Sequence, residues 1–390
     1  YWSITSTFSK DDKQKFIAKL YLLNNKKLAK MDLKNEKETN SALEKIRNSS
    51  FNITKISTKR VKRNPLPPFT TSTLQQEASN KLGFGASRTM RIAQKLYEGI
   101  NIGSETTGLI TYMRTDGVQL STLAIDELRN EITNLHGKEY IPQAPRVYKS
   151  KAANAQEAHE AIRPTAISRD PESMSGFLDT EQLKLYKLIW KRTISSQMQS
   201  AELDETSADI SNQDKSIVFR ANGSQVHFPG FFIYRDRDDD KILPNLIENE
   251  NVGLEKAEGE QHFTQPPPRY TDASLIKKME ELGIGRPSTY ASILQVLVNR
   301  NYVEKDRGKH IPQERGRILT AFLNNFFGQY IEYDFTADLE KKLDKVSDGK
   351  LNYKKLLEDF WDGFKPHLNK MSELEREKIL EALENELADL

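Results

Sequence analysis

Two segments of alternating hydrophobic and polar residues flank a long stretch with helical periodicity. The alternation covers 2–8, 53–63 and 206–234, and a period of two is typical of strands with one buried face. Neither flank is long enough to close a sheet by itself. The pattern therefore predicts one discontinuous β-rich domain over 1–64 and 203–262, interrupted by an inserted helical domain.

Apolar residues recur at helical spacing in the remaining chain. The predicted helices are 38–47, 74–82, 87–98, 122–135, 153–163, 180–199, 272–282, 288–300, 318–327, 336–346, 353–370 and an acidic one from Glu373. Short strands are predicted at 109–111 and 302–303. Proline-rich boundaries at 65–68 and 266–268 separate a helical domain over 65–202 from a second over 263–390.

One segment of the chain repeats after 200 residues. Positions 67–89 and 267–289 share seven identities in 23 positions. Both copies predict a proline entry, a helix, a Gly-x-Gly turn, a second helix and a strand. We interpret them as two helix-turn-helix units of winged type, a shape suited to presenting a helix to DNA. The candidate helix caps are Ser72 or Thr73 in the first copy, and Asp272 and Ser288 in the second.

Composition is typical of a globular protein of two to four domains, with 37% hydrophobic and 29% charged residues in a chain of 390. No apolar run approaches the roughly 20 residues of a membrane span, and no signal peptide is recognisable. The absence of cysteine excludes disulfides and thiolate metal sites and fits a cytoplasmic location. The chain begins with Tyr1 rather than Met, so we expect a fragment of a longer protein.

Charge is segregated along the chain although its net value is only +2. The segments 55–63 and 81–115 are mainly basic, whereas 235–260 and 371–390 are mainly acidic. Such segregation favours a protein that contacts a polyanion with one face. Solvated faces that differ in sign by chance explain it equally well.

The segment 108–121 contains the most suggestive chemistry. On a strand, Tyr112, Arg114 and Asp116 share one face. A free phenol, with a pKa of about 10, is a poor nucleophile at neutral pH. A neighbouring guanidinium favours the phenolate and can also hold a phosphate. An ordinary exposed strand would carry the same residues, so the tripeptide alone does not decide between these readings.

Four motifs in a fixed order resemble those of type IA DNA topoisomerases. They are Gln94–Glu98 with Ile110–Asp116, then Gln156–Thr165, Pro266–Tyr270 and Gly283–Tyr290. Met113 and the Gly-Arg-Pro-Ser-Thr-Tyr string are similar to the bacterial topoisomerase I branch, and the resemblance covers nearly the whole chain. It implies a multidomain α+β fold, with a discontinuous β-rich arch and two helical winged helix-turn-helix-like domains that form a DNA gate.

The resemblance implies a reversible, covalent cleavage of one DNA strand. Tyr112 would attack a phosphodiester and form a 5′-phosphotyrosine, Arg114 would contact the scissile phosphate, and His159 would lie near it. Because the phosphotyrosine keeps the energy of the broken bond, resealing needs no ATP, and the chain lacks a Gly-x-x-x-x-Gly-Lys-[Ser/Thr] loop. Asp116 is more suited to ordering the turn or holding Arg114 than to proton abstraction.

A second set of residues is expected to bind DNA. They are Arg163, Arg286, Ser288, Thr289 and Arg300. Free amides at the start of a helix favour phosphate, and the arginines add charge. Two alternatives stay open: Arg163 can pair with Glu160, and Ser288 can be an ordinary helix cap.

The resemblance also predicts what this chain does not contain. In the family, Mg²⁺ binds acidic residues of an N-terminal Toprim domain, and no such cluster is found here. The acidic run at 236–240 departs from that pattern. We therefore expect no metal ligands in this chain, a dependence on the missing Toprim segment of the same protein, and no relaxation of supercoiled DNA by the chain alone.

The expected substrate is a single-stranded segment of negatively supercoiled duplex, and the expected state is a monomer without membrane contact. Tyrosine recombinases are disfavoured because they need a His-x-x-Arg before the tyrosine, and relaxases because they need His-hydrophobe-His. The alternative is a single-stranded-DNA-binding or structural module without chemistry.

Overall fold

The computed structural model describes residues 1–10, 14–149, 159–236 and 240–389. The chain forms two compact units, Tyr1–Pro65 with Met198–Pro268, and Leu66–Gln197 with Arg269–Leu390. The first unit is discontinuous in sequence and carries the large sheet. The two helical segments that the sequence separates at 263 belong to one unit instead of two.

The described residues of the first unit form an antiparallel sheet with one α-helix and a short 3-10 helix. Numbered along the whole chain, its elements are β1 (Trp2–Lys10), β2 (Gln14–Leu23), β3 (Lys26–Lys27), α1 (Glu36–Arg47), β4 (Phe51–Arg63), β7 (Ala201–Asn212), β8 (Ile217–Phe228) and β9 (Asn251–Gln261). Among the described residues the strand order is β1-β9-β4-β7-β8-β2-β3, and β1 also pairs with β2, which closes the circuit. At the centre of its core, Phe8 stacks against Phe16 and contacts Phe51 and Phe219 edge to face.

This sheet explains both a correct prediction and two errors. Alternation identified the flanking strands because their buried side chains face one core. The strand character predicted over 206–234 is wrong at its end, since Gly230–Tyr234 is a short 3-10 helix. Strand β9 was not predicted, because its polar and glycine residues weaken the alternation.

Part of the basic segment 55–63 is neutralised within the sheet. Three of its cations pair with carboxylates of the neighbouring β7, as Arg60–Asp204, Lys62–Glu202 and Arg63–Glu205. These exposed pairs contribute little stability. They nevertheless reduce the positive charge that the segment offers to a polyanion.

The second unit is helical. Its elements are α2 (Thr71–Glu77), a π-helix (Ala78–Leu82), α3 (Ala86–Glu98), β5 (Ile100–Asn101), β6 (Thr106–Thr107), α4 (Thr122–His136), a 3-10 helix (Lys138–Tyr140), α5 (Pro171–Met174), α6 (Thr180–Ser196), α7 (Asp272–Leu282), α8 (Tyr290–Asn299), β10 (Val303–Asp306), β11 (Lys309–Pro312), α9 (Glu314–Ile331), α10 (Tyr333–Ser347), α11 (Tyr353–Ser372) and α12 (Arg376–Asp389). Within the described residues, no helix is both long and apolar enough to cross a lipid bilayer.

The two copies of the sequence repeat pack against each other. Helix α2 lies on α7 and α3 lies on α8. Their shared core contains Ala86 from the first copy and Ile276, Met279, Tyr290 and Leu294 from the second. This common core is the physical reason why the helical segments form one unit.

The helix caps differ from the predicted ones. Thr70 and Thr271 cap α2 and α7, each in a reciprocal capping box. Ser72, Thr73 and Asp272 lie inside these helices, so their assignment as caps is wrong. So is that of Ser288, because the N-cap of α8 is Thr289. The polar residues cluster at each helix start, and sequence alone does not distinguish neighbours within such a cluster.

The repeat is also offset by one residue at its start. The π-helix after α2 ends at the left-handed Gly83, and α7 ends at the left-handed Gly283. The first copy has one residue more between the threonine cap and this glycine. The π-helix after α2 absorbs this residue, because a wider turn accommodates one extra position. Thr70, rather than Thr71, is therefore the counterpart of Thr271.

Two further expectations concern the segments around the candidate nucleophile. The helix predicted over 153–163 is wrong for 159–163, which is not helical and contains the isolated bridge of Ile162 to Phe69, and its remainder lies outside the described residues. The strand predicted at 109–111 is not a regular strand. It is an extended segment with an isolated bridge between Ile110 and Pro164.

Candidate active site and nucleic-acid groove

Backbone hydrogen bonds hold the extended segment that carries Tyr112. The Leu109 N–H donates to the Leu96 carbonyl at 2.8 Å, and the Thr111 N–H donates to the Arg163 carbonyl at 2.9 Å. Met113 and Thr115 are buried, whereas Tyr112 and Asp116 are half-buried and Arg114 is exposed. The burial thus alternates along the segment, as expected if residues 112, 114 and 116 face away from the core.

A buried threonine fixes the backbone on both sides of Arg114. The Thr71 hydroxyl donates to the Met113 carbonyl at 2.7 Å and accepts the Thr115 N–H at 2.8 Å. Thr71 is fully buried at the first position of α2. The first helix of the repeat therefore sets the direction in which Arg114 leaves the backbone. Sequence analysis did not single out this residue.

The Tyr112 ring lies between two other rings. The centroids of Tyr112 and His159 are 5.1 Å apart, and those of Tyr112 and Tyr97 are 5.4 Å apart in an edge-to-face arrangement. The side chains of His159 and Tyr97 are exposed. The structure therefore brings a phenol and an imidazole together at an accessible surface, although 47 positions separate them.

Gly117 allows the His159 backbone to approach this segment. A Cβ atom at position 117 would collide with the His159 carbonyl oxygen and would lie 3.2 Å from the Thr115 hydroxyl. The Ala161 N–H, two residues later, donates to the Gln119 carbonyl at 2.9 Å. The glycine is thus required by close packing rather than by a left-handed backbone.

Arg163 pairs with Glu160, one of the two alternatives left open by the sequence. Its Nε donates to Glu160 at 2.7 Å, and its Nη1 donates to the Pro164 carbonyl at 3.0 Å. Burial raises the pKa of Glu160, but the hydrogen bond and charge of Arg163 outweigh it, and the Ser121 N–H assists. The pKa of Glu160 is therefore below its ordinary value, and the carboxylate stays charged.

A groove of about 690 Å³ lies between α3 and α8. Its charged lining residues are Arg91, Lys95, Glu98 and Arg114. The other wall includes Ser288 and Ser292 at the start of α8. Because three cations face one carboxylate, the groove attracts an anionic chain. Arg114 belongs both to this lining and to the Tyr112 segment.

Sequence analysis did not identify Arg91 and Lys95 as site residues. They lie four positions apart on α3 and so share one helix face. The basic segment 81–115 contains both residues, and the Gln94–Glu98 motif contains Lys95, but neither pattern assigned them a role. The groove depends on which face of α3 meets α8, and helical periodicity does not predict that pairing.

Arg286 is tied to acidic residues of α10. Its guanidinium donates to Asp344 at 2.7 Å and to the Gly285 carbonyl at 2.7 Å, and Glu340 lies 3.9 Å away. Burial alone would lower the pKa of Arg286, but the hydrogen bond and charge of Asp344 outweigh this effect. The pKa of Arg286 is therefore above its ordinary value. This arginine thus connects the turn before α8 to another helix.

The other predicted DNA-binding residues lie at the two ends of α8. The Thr289 hydroxyl accepts the Arg286 N–H at 2.9 Å. Ser288 is exposed and lines the groove. Arg300 is the exposed C-cap of the helix, 10 residues after Tyr290. Ser288 therefore shares the groove with Arg114, whereas Arg286 faces α10.

The described residues provide no metal site of their own. No group of three or more His, Asp or Glu side chains among them could hold a metal ion. In the acidic run at 236–240, Asp240 pairs with Arg235 at 3.7 Å, and 237–239 lie outside the described residues. The carboxylates and imidazoles of the described residues therefore do not fit a magnesium site.

Comparison with known proteins identifies the family. A family model described as DNA topoisomerase matches residues 1–358. The chain is 49% identical to DNA topoisomerase 1 of Rickettsia bellii over 99% of its own length and 49% of that protein. It is 46% identical to the Zymomonas mobilis protein of the same name over 98% of the chain and 32% of that protein.

A solved structure agrees with these sequence matches. Full-length topoisomerase I from Thermotoga maritima superposes with a TM-score of 0.79 and 35% identity, over 94% of this chain and 58% of that one. The chain spans about half the length of the Rickettsia protein, or less of the Zymomonas one. The order of motifs, the fold and these similarities lead to one conclusion: the chain belongs to the bacterial topoisomerase I family of type IA DNA topoisomerases.

Proposed function

We propose that this chain is the nucleophile-bearing part of an ATP-independent type IA topoisomerase. The complete protein would cut one DNA strand, pass another strand through the break and reseal it, which relaxes negative supercoils. The observation that supports this most directly is the accessible Tyr112 ring 5.1 Å from His159, on a segment whose Arg114 lines a cationic groove.

The proposed chemistry is a transesterification. The Tyr112 oxygen attacks the phosphorus and forms a P–O bond while the bond from phosphorus to the 3′-oxygen breaks. The phenol loses its proton, and the departing 3′-oxygen gains one to become a hydroxyl. Religation reverses each step. One P–O ester bond replaces another throughout, so no nucleoside triphosphate is needed.

Within this scheme the side chains have distinct roles. Arg114 contacts the scissile phosphate and stabilises its developing charge. His159 lies beside the phenol and contacts the same phosphate region. Arg163, which is paired with Glu160, supports the His159 segment more directly than it contacts DNA. Ser288, Thr289, Arg286 and Arg300 bind or support the single strand at α8.

We also propose that Mg²⁺ is held by acidic residues of an N-terminal Toprim segment of the same protein. Bound there, the ion would neutralise phosphate charge near the nucleophile. The Rickettsia and Zymomonas relatives are about two and three times as long as this chain, which leaves room for such a segment. The proposal further includes a monomer that acts in the cytoplasm.

The test is a covalent-adduct assay in the complete protein. Single-stranded DNA labelled on the 3′ side of the cleavage point is incubated with Mg²⁺, and denaturation traps the labelled protein. Tyr112→Phe should give no adduct. Tyr97→Phe, which removes the neighbouring phenol, is the matched control and should retain the adduct.

The second candidate is a single-stranded-DNA-binding module without chemistry. The cationic groove between α3 and α8 favours it, because binding requires neither Tyr112 nor His159. An unaltered complete protein that binds single strands but yields no adduct would support this alternative. An adduct that persists in Tyr112→Phe would instead assign the nucleophile to another residue.

A further inference from the structure

A buried carboxylate connects the two copies of the repeat. Asp272 is the first residue of α7, and its side chain is 6% exposed. One oxygen accepts the Ala86 N–H of α3 at 2.9 Å. The other lies 2.8 Å from Nε2 of His310 and 2.7 Å from Nζ of Lys305, both on the β10–β11 hairpin. One side chain thus contacts both repeats and the hairpin.

Asp272 acts as a helix cap supplied by the other repeat. Helix α3 begins after Gly85, which has no side chain and makes no cap hydrogen bond. The Asp272 carboxylate takes this place, where its charge also favours the positive end of the helix. A Cβ atom at position 85 would lie 3.1 Å from this carboxylate, so glycine provides the necessary room.

The counterpart in the first repeat makes a different set of contacts. Thr71 occupies the first position of α2 and bonds to the Met113–Thr115 backbone, which follows the second helix of its own repeat. Asp272 likewise bonds to the hairpin that follows α8. Of the two, only Asp272 also reaches the opposite repeat, at Ala86.

The contact lies at one end of a groove wall. Helix α3 carries Arg91 and Lys95, and the opposite wall is the first part of α8. Asp272 holds the first turn of α3 against α7 and the hairpin. These elements flank α8 in sequence, and α7 shares its core. The carboxylate thus connects the start of one groove wall to the two elements that flank the other wall.

We propose that Asp272 is a positioning residue for single-stranded DNA, which it does not contact itself. It sets the separation between α3 and α8 and thereby the fit of the groove to the sugar-phosphate chain. The inference rests on the proposed function, because it takes the groove to be the binding site for the single strand.

The experiment measures binding of a fluorescent deoxythymidine oligonucleotide to the chain over a range of salt concentrations. Asp272→Asn keeps the shape of the side chain but removes the charge that holds Lys305 and α3. We expect roughly tenfold weaker binding at every salt concentration. The slope of log affinity against log salt should be unchanged, because no phosphate contact is lost.

Two control variants define the alternatives. Asp306→Asn changes the net charge equally at an exposed position of the same hairpin and should bind like the unaltered chain. Arg91→Ala removes a groove cation and should lower the salt slope by about 1. Asp272→Asn affinity equal to that of Asp306→Asn, or a slope like that of Arg91→Ala, overturns the proposal.

Folding is checked by amide hydrogen exchange. In Asp272→Asn the amides of 86–88 should exchange faster, while those in the middle of α8 stay protected. If that variant does not fold, Lys305→Met tests the same cluster and should weaken binding in the same direction. Unaltered affinity in Lys305→Met would then contradict the proposal. If the unaltered chain binds no single strand, the groove is not the binding site and the proposed function fails. That result is distinct from normal binding by both the unaltered chain and Asp272→Asn, which contradicts only the role of Asp272.

Discussion

Arg286 and Arg300 are both predicted from the sequence to bind DNA, but they have different surroundings. Arg286 donates to Asp344 and to two carbonyls, whereas Arg300 is exposed at the other end of α8. The former connects elements of the fold, and the latter is available to solvent and phosphate. A substitution at each position should therefore affect different properties.

Arg286→Ala should lower the free energy of unfolding by about 1–3 kcal/mol, because Asp344 and Glu340 lose a partly buried partner. Arg300→Ala should leave stability nearly unchanged and reduce the salt dependence of single-strand binding by about one phosphate contact. Chemical denaturation and oligonucleotide titration of both variants measure these effects. Equal stability of the two variants would contradict the distinction.

Gly117 provides a second test at the residue scale. In Gly117→Ala the new methyl group would push the His159 carbonyl away, so the imidazole would move relative to Tyr112. Because misplacement by about 1 Å costs on the order of 100-fold in rate, adduct formation by the complete protein should fall by about that factor. Gly176→Ala is the matched control, since a Cβ atom there meets no neighbour within 4 Å. Equal adduct yields in the two variants would exclude the positional role of Gly117.

At the scale of elements, the repeat is a pair of similar helix-turn-helix units joined through one core. Their first helices share a threonine cap and a left-handed terminal glycine, yet they differ by a π-helix in the first copy. The contacts that hold each second helix also differ. The first backbone N–H of α3 donates to a carboxylate of α7, whereas the N-cap Thr289 of α8 makes no side-chain cap hydrogen bond.

The Asp272 carboxylate at the start of α3 predicts how acid destabilises the helical unit. Burial raises the pKa of Asp272, but hydrogen bonds from His310, Lys305 and the Ala86 N–H outweigh it, so its pKa is well below the ordinary value. A depressed pKa in the folded state stabilises the fold at pH values above the pKa of the unfolded state, which is near 3.8. That stability is lost as the pH falls through the folded pKa.

Asp272→Asn should therefore show a shallower loss of unfolding free energy below about pH 4 than the unaltered chain. Denaturant titrations at several acidic pH values measure this slope. Asp306→Asn, at an exposed hairpin position, should retain the slope of the unaltered chain. Identical slopes for Asp272→Asn and the unaltered chain would show that Asp272 does not contribute to the pH dependence.

At the scale of the whole molecule, the chain provides a candidate nucleophile and a groove but no metal site among its described residues. It spans half or less of two relatives. The proposed function requires a division of labour in which another segment supplies the ion and further catalytic groups. The proposed activity then belongs to the assembled protein.

We expect the 390-residue chain to bind single-stranded DNA but not to relax supercoiled plasmid, even with Mg²⁺. Adding a separately produced Toprim segment should restore the covalent adduct, and Tyr112→Phe should abolish it again. Gel electrophoresis of plasmid topoisomers and adduct trapping give the two readouts. Relaxation by the chain alone would refute the division of labour.

Most secondary structure followed from the sequence alone. Helices such as α1, α3, α4 and α6 agree with the predicted ranges to within a few residues, because hydrophobic periodicity is a local property. The ordered motifs predicted the family that the comparisons show. The repeat was also visible, because its prolines and glycines match at a constant offset of 200 residues.

Tertiary structure alone decided what these elements contact. It joined two helical segments through one core. Near Tyr112, irregular backbone with isolated bridges stands where a regular strand and part of a helix were predicted, and Arg163 pairs with Glu160. It also opened the groove beside Arg91 and Lys95 and placed Asp272 at the start of α3. Such contacts join residues far apart in the chain, and their choice depends on competing packing arrangements that no local pattern records.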